Sequence, residues 1–223
     1  MKYLNLKPLL IITLLFYAFV ASAQSGAVYS FIFDVDSELT DFVKVERNNR
    51  NWLSDFSVSK IFPEELINSI KIKTEEAFTE KLQMPVKMCF YRDKRGRVYD
   101  SGGNGGRLEG LPSNSFKGAK VNCTENNRYI RYYVKISNGG STSVTFGNNK
   151  SKTNTKPSLR IHATVFDGNK NKVWKKNIEI NDFANLRSVK RYYGVFDVTK
   201  SEVLSHVDIY AIYIMGLEQL MKE

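Results

Sequence analysis

Between Arg128 and Ile136 apolar and polar positions alternate without a break. Ile130, Tyr132, Val134 and Ile136 fall on one side; Tyr129, Arg131, Tyr133 and Lys135 fall on the other. A strand with one buried side has that period of two. Leu159, Ile161, Ala163 and Val165 repeat the pattern, Asp167-Gly168-Asn169 supplies a turn, and Val173 to Ile180 runs back, which predicts a hairpin. The β-branched and aromatic run Ala27 to Phe33 predicts a strand ending at Asp34. Val86 to Tyr91 predicts another, and Tyr192 to Phe196 a short edge strand.

Two stretches change period. After Pro63-Glu64-Glu65, the residues Leu66, Ile67, Ile70, Ala77, Phe78 and Leu82 recur at three-and-four spacing, with Lys71, Lys73, Glu76 and Lys81 opposite. That is an amphipathic helix opened by Pro and acids and closed by Pro85. Thr199-Lys200-Ser201-Glu202 has the form of a capping box and predicts a last helix reaching Met221. Val203, Leu204, Val207, Ala211, Ile214 and Met215 make that helix apolar over more than one face, so it is expected to be buried. Residues 34–60, with Asn48, Asn49 and Asn51, read as irregular or edge structure. Arg92 to Val121 reads as a long connection around Gly102-Gly103-Asn104-Gly105-Gly106, and Asn138 to Lys156 as a polar loop or hairpin tip. The expected fold is α+β: a two-layer sandwich of a mostly antiparallel sheet of about five strands with two helices on one face.

Residues 1–23 are expected to lie outside that fold. Lys2 and Lys7 precede the apolar run Leu9 to Val20, and Ala21-Ser22-Ala23 ends it, which is the pattern of a cleaved signal peptide. Residues 24–223 then form a single α+β domain. Among 223 residues, 25% are charged and 42% hydrophobic, which excludes a disordered, collagen-like or polytopic membrane chain. No transmembrane helix is expected after residue 23. The formal net charge is +10, and loss of the leader with Lys2 and Lys7 leaves +8. Such a balance suits an anionic surface, a glycan or an acidic envelope protein; export makes nucleic acid an unfavoured partner. Periplasmic or extracellular localisation also puts Cys89 and Cys123 where a pair closes into a disulfide.

The sharpest candidate chemistry is Phe31-Ile32-Phe33-Asp34-Val35-Asp36. An apolar strand delivering Asp-x-Asp resembles the first motif of haloacid-dehalogenase-type phosphohydrolases. That resemblance implies Asp34 as nucleophile, Asp36 as proton carrier and a bridging Mg²⁺. Val134 to Asn138 imitates the second motif, whereas Ser37-Glu38 replaces the family's Gly-Thr and Asn181-Asp182 stands where a late acidic pair is required. A parallel sheet with both Asp at its carboxyl edge would favour this enzyme. The only histidines, His162 and His206, sit near no nucleophile elbow, no zinc-ligand spacing occurs, and the glycine cluster lacks a phosphate-loop Lys, so no cofactor is implied. A second candidate is basic. Lys87, Arg92, Arg95, Arg97, Arg131 and Lys175, with Lys94 nearby and Tyr129 and Tyr133 interleaved, form a possible anionic-ligand patch. The alternative for each of these residues is a solvated strand end or sheet face.

In layout the chain resembles small α/β domains of bacterial cell-envelope accessory proteins: ABC-transporter auxiliary, TolB amino-terminal and curli-secretion-channel types. The shared pieces are the helix and strand Pro63 to Tyr91, the strands Arg128 to Ile136 and Leu159 to Ile180, and the closing helix Val203 to Met221. The resemblance implies a non-enzymatic accessory or interaction role in the envelope or outside it, with the phosphohydrolase using Asp34 and Asp36 as the alternative.

Overall fold

The computed structural model describes residues 24–40, 62–100, 107–147, 150–183, 189–193 and 198–222. The signal-peptide reading of 1–23, the asparagines 48, 49 and 51, and the glycine cluster 102–106 lie outside them. The strands are β1 (Gly26–Val35), β2 (Val86–Met88), β3 (Tyr91–Arg92), β4 (Val98–Tyr99), β5 (Arg128–Phe146), β6 (Lys150–Asp167), β7 (Lys172–Ile180), β8 (Val189–Tyr193) and β9 (Val198–Glu202). The helices are α1 (Glu64–Leu82), α2 (Phe116–Asn122) and α3 (His206–Met221). The fold is α+β, as the periodicity predicts.

The main sheet runs β2-β1-β5-β6, and β6 carries two partners on its far side. β7 pairs with Leu159 to Phe166, and β8 pairs with Ser151 to Thr155, followed outward by β9. β3 and β4 form a separate antiparallel hairpin. Within this mostly antiparallel sheet two pairings are parallel: β1 runs parallel to both β2 and β5. Beyond Val28 the outer edge of β1 is bonded instead to the returning chain. Phe31 N–H donates to Pro112 O (2.8 Å), and Leu108 N–H donates to Phe33 O (2.9 Å).

The core lies on the side of the sheet that α1 and α3 cover. Phe31, Phe33, Ile130, Tyr132, Val134, Ile136, Leu159, Ile161, Ala163 and Val165 are all fully buried there. From α1, Ile67, Ile70, Thr74 and Phe78 meet them, spaced by three and four as the sequence pattern requires. Gln83 closes α1 in the left-handed conformation (φ 54°). Thr74 Oγ1 lies 2.6 Å from both Ile70 O and Tyr213 Oη, a polar tie between the two helices inside the apolar layer. α3 comes close enough to β6 that a methyl group on Gly216 would overlap the buried Leu159 side chain and force it to move.

Three expectations need correction. The last helix starts at His206, and its capping box is Ser205 with Asp208. Ser205 N–H donates to Asp208 Oδ2 (2.8 Å), and Asp208 N–H donates to Ser205 Oγ (3.2 Å). The similar string Thr199 to Glu202 is extended in β9, because it pairs with β8. Second, the face of α3 that packs inward is Ile209, Ile212, Tyr213, Leu217 and Leu220, whereas Val207 and Met215 are exposed. Third, Asn138 to Phe146 and Lys150 to Lys156 are continuous strand, forming an arm that extends β5 and β6 beyond the ends of β1 and β7, with β8 alongside Ser151 to Thr155.

A smaller apolar cluster sits on the other side of the sheet at one end. There Ala27, Tyr29, Tyr129 and Phe166 pack against Ala119 and Phe116 of α2. Cys89 and Cys123 are disulfide-bonded within it (Cα–Cα 6.3 Å), joining the end of β2 to the end of α2. The rest of that side carries no helix among the described residues.

Candidate functional site

The uncovered side of the sheet takes its residues from the alternate positions of the same strands that build the core. Register sets them in rows. Ser30, Arg131, Thr164 and Lys175 stand side by side across β1, β5, β6 and β7. The next row is Ile32, Tyr133, His162 and Asn177, and the third is Asp34, Lys135, Arg160 and Glu179. A shallow depression of about 270 Å³ lies over the first two rows. Within it the Tyr133 and His162 rings are stacked, with centroids 5.8 Å apart and planes inclined by 24°. The Arg131 guanidinium lies 5.6 Å above the Phe166 ring, which turns it toward the α2 end of the face.

Electrostatics divide the face. In the third row Arg160 Nη2 donates to Glu179 Oε1 (3.1 Å), and this bond, helped by Asn181, holds the Glu179 carboxyl below its ordinary range. Partial burial raises the Tyr133 phenol; Asp34 adds to the rise, and Arg107 and Arg160 oppose it. The first row holds two cations and no acid. Arg131 and Lys175 are exposed there on either side of the buried Thr164. The surface is therefore paired and near neutral at one end, and cationic at the other.

Of the six residues expected in a basic patch, Arg131 and Lys175 come together on this face and the other four lie elsewhere. Lys87 lies on the opposite edge strand, 3.2 Å from Glu75. Arg92, Arg95 and Arg97 belong to the separate β3–β4 hairpin or its turn. Arg97 Nε is bonded to Asp93 Oδ2 there (2.8 Å). Burial acts against ionisation of Asp93, but bonds from the Arg97 and Arg95 backbones, the Arg97 side chain and the Tyr99 hydroxyl hold its carboxyl below the ordinary range. The positive charge of this hairpin is thus partly spent on its own turn. Tyr129, named beside Arg131, is buried under α2. Thr164, Asn177 and the closeness of His162 to Tyr133 escape a reading by strand alone, because they follow from register. For β6 and β7 that register had a signal in the Asp167-Gly168-Asn169 turn.

Asp34 and Asp36 separate. Asp34 lies on the uncovered face beside Lys135, with an isolated backbone bridge to Arg107. Asp36 follows the strand, and its Oδ1 accepts from Glu38 N–H (3.2 Å), opening the short 3₁₀ turn Ser37–Leu39. β1 has the parallel neighbours the phosphohydrolase reading asks for, yet the described residues contain no group of three or more His, Cys, Asp or Glu placed to hold a metal ion. They also contain no helix long and apolar enough to cross a membrane.

No protein-family model matches the chain, so the resemblance to envelope accessory domains stays at the level of layout. No curated protein matches it either. Among solved structures, it aligns with a Helicobacter pylori protein described by homology as a neuraminyllactose-binding hemagglutinin. The alignment covers 90% of this chain and 82% of that one, at 8% identity and a TM-score of 0.35. At that distance function has to be argued from the residues themselves.

Proposed function

We propose that this chain is an exported, non-catalytic binding domain of the bacterial envelope or its surroundings, and that its uncovered sheet face holds an anionic saccharide. The observation that carries the reading is that the row of Arg131, Thr164 and Lys175 and the neighbouring row with the stacked Tyr133–His162 pair line one depression. A sugar acid matches both halves. Its carboxylate suits two cations with a hydroxyl between them, and its apolar C–H face suits an aromatic ring. Asn177 and Ser30 supply further hydrogen-bonding groups to the same depression. The Cys89–Cys123 bridge agrees with an oxidising compartment, and so with a glycan rather than an intracellular anion.

Calorimetric titration with trigalacturonate against maltotriose tests this. Binding of the acidic trimer alone is expected, weakened about tenfold or more by Arg131→Ala, as loss of a charge-assisted contact requires. Tyr133→Ala should weaken it by a smaller factor. Equal binding of both trimers, or none, would overturn the reading. So would Mg²⁺-dependent aryl-phosphate hydrolysis that Asp34→Asn abolishes.

A further inference from the structure

The far end of the β5–β6 arm has a composition unlike the rest of the surface. From Ser137 to Lys156 the chain carries three lysines and no acid. Pairing places Phe146 beside Lys150, and Val144 beside Lys152, which in turn neighbours Tyr192. These residues share the side of β6 that bears Arg160 and His162 further along. The opposite side of the arm is polar: Ser143 Oγ meets Thr153 Oγ1 (2.9 Å), and Ser141 Oγ meets Thr155 Oγ1 (2.9 Å). Val144 and Phe146 are 55% and 52% exposed, although they stand in a paired strand rather than in a loop. Lys152 Nζ lies 5.3 Å over the Tyr192 ring. On that side the end of the arm thus carries two exposed apolar side chains, each directly beside a lysine.

We infer that this end of the arm docks on an anionic lipid surface. Val144 and Phe146 enter the headgroup layer, and Lys150 and Lys152 meet the lipid phosphates beside them. Aromatic and cationic groups gather at the bilayer interface, and the row Val144, Lys152, Tyr192 sets one of each beside an apolar side chain. Insertion is shallow. The outer edge of β5 beyond Ser137 has no ladder partner among the described residues, and unpaired backbone groups are not tolerated in hydrocarbon. Charge selects this occupant over a second copy of the chain. A copy would bring lysines against lysines, whereas anionic lipids attract each cation near the surface. The docking is independent of saccharide binding at Arg131 and Tyr133.

Sedimentation of the purified chain with vesicles of 30% phosphatidylglycerol in phosphatidylcholine, against phosphatidylcholine alone, reads it directly. Binding to the anionic vesicles only is expected, lost in 0.5 M salt. Lys150→Glu with Lys152→Glu should weaken it more than about 30-fold, and Phe146→Ser by about tenfold. Lys150 and Phe146 are exposed and Lys152 is partly so, and an unchanged melting temperature shows that the variants are folded. A tryptophan introduced by Phe146→Trp should shift its emission to the blue on binding and be quenched by brominated lipid, which adsorption by charge alone would not produce. Three results would overturn the inference. They are no vesicle binding, binding that survives both sets of substitutions, and concentration-dependent dimerisation in solution that Phe146→Ser abolishes, which would make a second copy the occupant. Loss of vesicle binding with trigalacturonate binding intact, or the reverse, separates this inference from the proposed function.

Discussion

Strand β5 has two sides with opposite histories. Ile130, Tyr132, Val134 and Ile136 are closed off under α1 and α3, while Arg131, Tyr133 and Lys135, each one residue away, face outward with no helix above them among the described residues. The same backbone thus supports a dry layer whose residues answer to packing and a wet layer whose residues answer to charge and hydrogen bonding. Stability is concentrated on the first side and the proposed binding on the second, so substitutions on the two sides should separate cleanly.

The largest effect belongs to the dry side. Ile212→Asp puts a carboxylate into the fully buried face of α3 and should cost at least about 4 kcal/mol, enough to abolish cooperative folding. A sharp thermal transition in that variant would show α3 to be separable from the core. Next is the disulfide beneath α2. Cys89→Ser with Cys123→Ser releases a 34-residue separation and should lower stability by about 3–4 kcal/mol in denaturant titration. A smaller loss would mean that the unbridged chain keeps those ends together.

The tie between the helices gives a prediction in pH. Burial pushes the Tyr132 and Tyr213 phenols well above their ordinary value of 10, whereas in the unfolded chain both ionise near it. Below pH 10 the two states hold the same protons. Above it the unfolded chain releases them first, so stability should fall steeply as pH rises past 10. Tyr213→Phe should cost about 1–2 kcal/mol at pH 7 through loss of the bond with Thr74, and should make that alkaline fall shallower. An unchanged slope in urea titrations at pH 9 and 11 would place the alkaline transition elsewhere. The smallest effect lies on the wet side. Arg131→Ala should lower stability by no more than about 0.5 kcal/mol while weakening trigalacturonate binding about tenfold or more. A loss of several kcal/mol would make Arg131 a structural residue and dissolve the contrast.

The dry side was the more legible in sequence. Strict alternation in Arg128 to Ile136 and Leu159 to Val165, and three-and-four spacing in α1, announce where apolar area must be hidden. The cysteine pair followed from compartment and count. The arm was not legible, because Ser141, Ser143, Thr153 and Thr155 place small hydroxyls where a strand bound for a core would place Val or Ile. Those strands exist by cross-strand bonding, which leaves little periodicity. The false cap at Thr199 has the right residue types, and only pairing with β8 decides against it. The candidate site was half visible. Arg131 and Lys175 were named, but their meeting across Thr164 is a matter of register, which β5 alone does not encode.

The parallel pairing of β1 also sets the order of events while the chain is being made. β1 leaves the ribosome or the export channel early, with Phe31 and Phe33 bare, and its partner β5 follows only roughly a hundred residues later, several seconds at ordinary synthesis rates. Until then it is a sticky apolar strand whose central neighbour does not yet exist, and closing so long a loop is slow. Folding of this domain is therefore a race between completing the sheet and losing β1 to a wrong partner, and a holding chaperone would act on that first strand.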